Sequence, residues 1–128
     1  MKKVMYTAVV LTPHSHDQLL LWWKETVGVP LHDKVLAHHM TIKFKPSEAE
    51  VSALPLGTEV RLQVLGYGAD AKGQAIVVES LDVKSTNPHP HITVAVSAGV
   101  SPVYSNELLG RGPTHVSGPT LTGTIEAC

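Results

Sequence analysis

The sequence predicts a single α+β domain, and three observations lead to this fold class. A chain of 128 residues with 43% hydrophobic content is long enough for one compact domain with a substantial core. Segments in which apolar and polar residues alternate, as in strands, are separated by segments with helix-start signals. Two of the strand segments repeat one pattern: a histidine, an apolar residue, a threonine and a second apolar residue. We therefore expect residues 1–128 to form one folding unit, with room for two lobes.

The chain is expected to open with a strand and a helix. Residues 3–11 are mostly strand formers, and a Thr-Pro pair ends them. Ser15 with Gln18 three residues later forms a capping-box pattern for the helix, and Gly28 is a suitable end for it. Of the adjacent pair Trp22-Trp23, we expect one ring to pack against the sheet and the other to stay half-exposed.

Residues 35–44 predict the second strand. Side chains alternate across a sheet, so the apolar set should face the core: Met40, Ile42 and Phe44. The opposite face then carries the polar set: His39, Thr41 and Lys43. By the same parity His38 points toward the core, where we expect a hydrogen-bonded structural histidine.

The middle of the chain predicts a short helix and a pair of strands. Ser47 with Glu50 forms a second capping-box pattern. Residues 60–65 and 75–79 are strand-like, and the Gly-rich segment 66–73 between them can turn. The two strands should therefore lie side by side.

The pattern of the second strand returns in residues 91–96. Pro88 and Pro90 keep the chain before it extended. The residues that should face the core are Ile92, Val94 and Val96, and those that should face away are His91, Thr93 and Ala95. Residues 101–109 then predict a short helix, and residues 120–126 a closing strand.

Composition narrows the classes of function. The chain has 10 Lys and Arg against 11 Asp and Glu, without a basic run, which disfavours binding of long duplex nucleic acid through its phosphates. It shows no apolar run of membrane-helix length and no signal-peptide pattern, so we expect a soluble, cytoplasmic protein, and a monomer. The single cysteine, Cys128, excludes an internal disulfide. Six of the eight histidines lie in close pairs, which favours acid–base or metal chemistry.

The two repeated segments, 39–42 and 91–94, have a chemical reason to occur together. Displacement at phosphorus needs one group that removes a proton from the attacking oxygen and another that protonates the leaving oxygen on the opposite side. Imidazoles can fill both roles, and a threonine on the same strand face can aim its hydroxyl at the non-bridging oxygens. Two such strands side by side would clamp one phosphate between two His-Thr pairs.

The paired motifs, the Pro-His-Ile-Thr-Val form of the second one, and the opening strand and helix resemble the two-histidine (2H) phosphoesterase superfamily. This superfamily includes RNA 2′,3′-cyclic phosphodiesterases, the cyclic phosphodiesterase domains of tRNA ligases, and viral enzymes that degrade cyclic-nucleotide signals. The resemblance implies a bilobal, LigT-like α+β fold with pseudo-twofold symmetry, antiparallel sheets lining a central cleft, and no metal or other cofactor. Carried over to this chain, it makes His39 and His91 the acid–base pair and Thr41 and Thr93 the phosphate-holding hydroxyls.

The implied activity is hydrolysis of a cyclic phosphodiester. The first candidate substrate is a 2′,3′-cyclic phosphate on an RNA end or a small nucleotide, and the alternative is a 3′,5′-linked cyclic oligonucleotide. The sequence leaves open which histidine is the base.

Further residues are candidates for supporting roles. Lys43 shares the strand face of the first motif and is placed to neutralise phosphate charge. Tyr6, Tyr67 and Tyr104 are candidates for base stacking. His89 precedes the second motif by two residues and is a candidate for supporting its histidine.

Two other classes of function compete with this reading. The paired histidines would suffice for a zinc or iron site, yet no acidic residue lies at motif spacing. A cupin-like barrel would need a glutamate soon after His91, and a histidine-triad hydrolase would need a histidine where Thr93 stands. A noncatalytic RNA-end or nucleotide-binding module would keep the cleft without turnover, but the retention of both His-Thr pairs favours an enzyme.

Overall fold

The computed structural model describes residues 4–87 and 89–128, and its elements follow in chain order. The strands are β1 (Tyr6–Leu11), β2 (Lys34–Val35), β3 (His39–Phe44), β4 (Glu59–Ala69), β5 (Gly73–Ser80), β6 (His91–Val96), β7 (Thr114–His115) and β8 (Thr120–Ala127). The helices are α1 (Pro13–Trp22), which continues into a π-helical turn (Trp23–Val27), α2 (Glu48–Ala53) and α3 (Tyr104–Gly110). Lys3 of the predicted first strand and Pro88 of the predicted lead-in lie outside the described residues.

The strands form one antiparallel sheet that closes on itself. Its order is β2-β6-β3-β1-β8-β4-β5, and β5 also pairs with β6, so six strands make a barrel. The short β2 and β7 add to β6 and β4 respectively. Strands and helices together confirm an α+β chain that is mostly antiparallel sheet. The division into two lobes stays a prediction, since β3 and β6 are joined within this sheet through the pair Met40–Ile92.

The barrel interior holds the main hydrophobic core. Residues from all six barrel strands contribute to it: Val9, Met40, Leu62, Ile76, Ile92, Val94, Leu121 and Ile125. Helix α1 and its π-helical turn add Leu19 and Trp23 to this core. Ser15, which is also buried, precedes them at the same four-residue interval, so all three share one helix face. Trp22 is half-buried, which confirms the expected difference between the two tryptophans.

The helix ends agree with the predicted signals, with one exception. Ser47 and Glu50 form the expected capping box on α2, and Gly28 ends the π-helical turn with a φ of 74°. The capping box predicted for Ser15 is wrong. Thr12 is the N-cap of α1 and its hydroxyl accepts a hydrogen bond from the Ser15 N–H at 3.1 Å. Ser15 lies in the first turn, where its hydroxyl accepts from the main chain of β8 at Thr122.

A β-bulge in β3 changes which side chains face outward at its end. Ala8 pairs with Thr41 and Thr7 pairs with Lys43, so Ile42 is the extra residue. Beyond it Phe44 lies opposite Tyr6 and is 60% exposed. The prediction that Phe44 faces the core is therefore wrong, because the bulge reverses the alternation after Ile42.

The strand predicted over residues 35–44 is divided into β2 and β3. Residues 36–38 separate them, although the Leu36 and Ala37 N–H groups still donate to β6. Ala37 has a φ of 47°, in the left-handed region that a residue with a side chain adopts at a cost. In the described part of the chain, no helix has the length and apolar character that crossing a membrane would require.

Candidate active site

All four motif side chains line one cleft. Its volume is about 620 Å³, and it lies on the outer face of the barrel where β3 and β6 meet. Besides His39, Thr41, His91 and Thr93, its walls are built from Tyr6, Leu36, His38, Phe44, Asn87, Pro102, Val103 and Asn106. Two segments 52 positions apart are thus brought to a single site.

The pairing of β3 explains why His39 and Thr41 act on the same side. They lie opposite Val10 and Ala8 of β1, and directly paired residues share a sheet face. The intervening Met40 is fully buried in the core. β6 repeats the arrangement over its first four residues, with Ile92 and Val94 buried and His91 and Thr93 facing the cleft. The prediction that Ala95 faces away is wrong: it is fully buried, because the register of β6 against β5 shifts at Val94.

His91 is held by the main chain that leads into β6. Its Nδ1 lies 2.6 Å from the His89 carbonyl oxygen, which can only accept, so Nδ1 must carry the hydrogen. The neutral ring then presents the Nε2 lone pair. His89 therefore supports the motif through its carbonyl group, and its N–H in turn donates to the Asn87 side chain at 3.0 Å.

His39 is held by side chains. The Tyr6 ring stacks on it at 5.1 Å between centroids, and His38 Nδ1 lies 2.9 Å from His39 Nδ1. The prediction that His38 faces the core is wrong: it is exposed and lines the cleft. Strand parity does not extend to His38, because the left-handed backbone at Ala37 turns the chain immediately before β3.

Burial disfavours the charged form of both motif histidines. The pKa of His39 is lowered from 6.5 to about 4, most by burial and in smaller part by the charges of His38 and His91. Burial also lowers the pKa of His91, although the hydrogen bond to the His89 carbonyl opposes this and a charge on the His89 ring adds to it. A bound phosphate anion would act in the opposite sense on both rings.

The two threonines differ in their partners. Thr93 Oγ1 lies 2.7 Å from Ser105 Oγ and donates to the Pro102 carbonyl oxygen at 3.3 Å. Ser105 is 1% exposed and belongs to α3, which packs on β5. The Thr41 hydroxyl faces the cleft, and its main-chain oxygen accepts from Ser85 at 2.7 Å. Sequence reasoning missed Ser105, because nothing in a serine within a short helix signals its contact with a distant strand.

Of the residues predicted to support the motifs, some lie in the cleft and others do not. Tyr6 lines the cleft and contacts His39. Lys43 is not among the lining residues and forms an ion pair with Glu50 of α2 at 3.5 Å. The expectation that Lys43 points into the cleft is wrong, because the bulge at Ile42 turns it to the other face.

The remaining two tyrosines lie away from the cleft. The Tyr104 hydroxyl donates to the Asp70 carboxylate, and the Arg111 guanidinium lies 3.2 Å from the same hydroxyl. Tyr67 packs edge-on against Trp23 in the core, with ring centroids 5.7 Å apart. Neither tyrosine is positioned to stack on a base in this cleft.

The cleft offers imidazole, hydroxyl and amide groups. Across residues 4–87 and 89–128, no three His, Cys, Asp or Glu side chains converge as a metal-binding group. Among the described residues that line the cleft, none is acidic. The arrangement can transfer protons at two imidazoles and donate hydrogen bonds to a phosphate between them.

A site of two histidines and two threonines on adjoining strands is the arrangement expected of a two-histidine phosphoesterase. The chain belongs to the family described as the fungal tRNA ligase phosphodiesterase domain, whose model matches residues 29–126, about three quarters of the sequence. This confirms the resemblance to the 2H superfamily and supports a cyclic phosphodiesterase activity in general terms. Comparison with curated proteins gives no match.

Proposed function

We propose that this chain hydrolyses a 2′,3′-cyclic phosphate at the end of an RNA or on a nucleotide, without a metal ion. His39 and His91 are the acid–base pair, and Thr41 and Thr93 hold the non-bridging oxygens. The observation that carries this proposal is the convergence of these four side chains on one cleft.

The proposed reaction uses each imidazole at a different oxygen. One imidazole takes a proton from water as the water oxygen bonds to phosphorus. The bond from phosphorus to one ribose oxygen breaks, and the other imidazole, as imidazolium, protonates that oxygen. The reaction therefore needs one neutral and one protonated histidine. Burial disfavours charge on both rings, and a bound phosphate anion favours protonation of one of them.

Three features support an RNA end as the substrate. The matched family is named for tRNA ligases. The cleft adjoins a second pocket of about 410 Å³ that shares Thr41, Phe44, Asn87 and Asn106 with it, so there is room beyond one nucleotide. The exposed ring of Phe44 and the ring of Tyr6 offer surfaces on which bases can stack.

The proposal extends to the organisation of the molecule. Residues 1–128 act as one domain and as a cytoplasmic monomer. Its two lobes meet at the cleft: β3 supplies His39 and Thr41 beside Tyr6 of β1, while β6 supplies the second His-Thr pair and α3 the wall at Asn106.

The test is an assay of chelator-treated protein against three substrates: an RNA oligonucleotide ending in a 2′,3′-cyclic phosphate, a 2′,3′-cyclic mononucleotide and a 3′,5′-linked cyclic oligonucleotide. We expect turnover of the RNA end. His39→Ala and His91→Ala should each lower kcat by about 10²- to 10⁴-fold, the usual contribution of a general acid or base. His14→Ala is the matched control, since His14 is exposed on α1 and lies outside the cleft.

Each other outcome identifies an error in the proposal. Loss of activity in chelator would make the site metal-dependent. Turnover of the cyclic oligonucleotide alone would change the substrate class. Tight binding of the RNA end without turnover would make the chain a noncatalytic binding module.

A further inference from the structure

The position of His38 in the cleft depends on a strained backbone conformation at the residue before it. Ala37, fully buried just before it, adopts a φ of 47°. Such a strained conformation is kept only where contacts with the surrounding structure hold it in place, and it occurs most often at functional sites. The turn brings the His38 ring beside His39, with 5.1 Å between the ring centroids.

The turn at Ala37 is held by hydrogen bonds to three different elements. The Ala37 N–H donates to the Thr93 carbonyl oxygen of β6 at 3.0 Å, and its own carbonyl oxygen accepts from His16 Nδ1 of α1 at 2.8 Å. The His38 carbonyl oxygen accepts from the Leu11 N–H at the end of β1 at 2.9 Å. The position of the His38 main chain is therefore set by the same strands and helix that build the cleft.

The bond between the two Nδ1 atoms allows only one direction once His39 is protonated. A single hydrogen lies between the nitrogens, which are 2.9 Å apart. An imidazolium ring has an N–H at both nitrogens and can only donate. His38 must then accept with its Nδ1 lone pair and carry its own hydrogen on Nε2. His91 has an acceptor in the same position, the His89 carbonyl oxygen.

We propose that His38 is a positioning residue that accepts the hydrogen bond from Nδ1 of His39 and thereby aims Nε2 of His39 at the substrate phosphate. This inference rests on the proposed function for its kinetic consequences, but not for its geometry. His38 does for one motif what a main-chain carbonyl does for the other. At metal-bound histidines, loss of the partner that fixes the tautomer and orientation of the ring costs about 10- to 100-fold in affinity or activity, and we expect an effect of that order at His39.

The decisive variants are His38→Leu, which removes the acceptor, and His38→Asn, whose amide oxygen can replace Nδ1 without titrating. We expect His38→Leu to lower kcat by about 10- to 100-fold with little change in KM. His38→Asn should recover most of that loss. His14→Leu is the matched control on the exposed face of α1 and should match the unmodified protein.

The pH profile of kcat distinguishes a positioning role of His38 from a purely structural one, because only the positioning role affects the limb that belongs to His39. The titratable groups around His39 are His38 beside it, His91 on β6 and Tyr6 on β1. His38→Leu should displace the limb of the kcat profile that belongs to His39 and leave the other limb in place. Unchanged kcat and pH profile in His38→Leu, or equal losses in the Leu and Asn variants, would overturn the proposal.

Nitrogen-15 NMR on histidine-labelled protein measures the tautomer of His39 directly. It therefore tests the role of His38 independently of the proposed function. We expect His39 to carry its hydrogen on Nδ1 in the unmodified protein and to become a mixture of tautomers in His38→Leu. If no substrate is turned over, the proposed function fails while this measurement still decides the role of His38. Identical His39 tautomers in both proteins would refute that role, and a circular dichroism melt establishes that each variant is folded.

Discussion

The two motif strands carry the same four-residue pattern in unlike surroundings. β6 pairs with β5 on one side and with β2 and β3 on the other, and its register against β5 shifts at Val94, the fourth residue of its motif. β3 has its bulge at the equivalent residue, Ile42, but among the described residues it alone of the two strands is flanked by non-glycine residues of positive φ, Ala37 at 47° and Lys45 at 51°. The motif and its irregularity are therefore repeated, whereas the strained backbone on either side of β3 is not.

The difference extends to what holds each functional group. The ring of His91 is bonded to a carbonyl group and the hydroxyl of Thr93 to a buried serine of α3. The ring of His39 contacts two side chains, Tyr6 and His38. A carbonyl oxygen can only accept a hydrogen bond, whereas an imidazole nitrogen accepts or donates according to its tautomer. His91 thus has a partner with a fixed hydrogen-bond role, and His39 has a partner whose role depends on its tautomer.

The largest difference in function and stability should appear when each threonine is replaced by valine. Thr41→Val and Thr93→Val should each lower kcat by about 10²-fold, because each removes a donor to the phosphate oxygens, toward which Thr93 must turn its hydrogen from the Pro102 carbonyl oxygen. Thr93→Val should also lower the free energy of unfolding by about 1–3 kcal/mol, because it leaves the buried Ser105 hydroxyl without this partner. Kinetics and urea unfolding measure the two effects.

Thr41→Val serves as the control for stability. Its hydroxyl faces the cleft without a hydrogen bond to another described residue, so the change should stay within about 0.5 kcal/mol. Equal destabilisation by the two substitutions would contradict the claim that only Thr93 has a buried hydrogen-bond partner that contributes to stability.

Acid should destabilise the protein through both histidines, and more through His39. Burial lowers the pKa of His39 from 6.5 to about 4, so the unfolded chain takes up its proton first as pH falls. The corresponding stability is complete above pH 6.5 and is lost as pH falls toward about 4. At His91 the bond to the His89 carbonyl favours the charged form and opposes the effect of burial.

Melting temperatures between pH 7 and pH 4 test this ordering. The curve of His39→Gln should be flatter than that of the unmodified protein, and the curve of His91→Gln should lie between them. A steeper loss of stability in His39→Gln would contradict the direction assigned to the His39 pKa.

The smallest expected effect on stability concerns the two residues of positive φ that flank β3. Lys45→Gly should raise the free energy of unfolding by about 0.5–1 kcal/mol, because glycine adopts this conformation without strain and Lys45 is exposed. Ala37→Gly should show almost no net change, since the same relief is offset by loss of a buried methyl group worth about 0.8 kcal/mol. A clear gain at Ala37 in thermal melts would mean that its side chain contributes little to the core.

Regular local patterns were predictable from the sequence. The sequence predicts residues 91–96 as the bounds of β6, because its first four residues alternate between the core and the outer face. The capping box of α2 was predicted because both its hydrogen bonds connect residues three apart. The prediction failed at Lys43 and Phe44, where one extra residue in β3 reverses the alternation, and no residue type announces that bulge.

The sequence by itself determined the strand character of both motifs, the shared face of each His-Thr pair and hence the type of chemistry. These properties depend on residues two positions apart. Only the tertiary structure decided that both pairs meet in one cleft, that Phe44 replaces Lys43 beside it, and that His38 and Ser105 become partners of the motif residues. These outcomes depend on strand register, on a bulge and on a strained turn, which arise from packing between segments far apart in the chain.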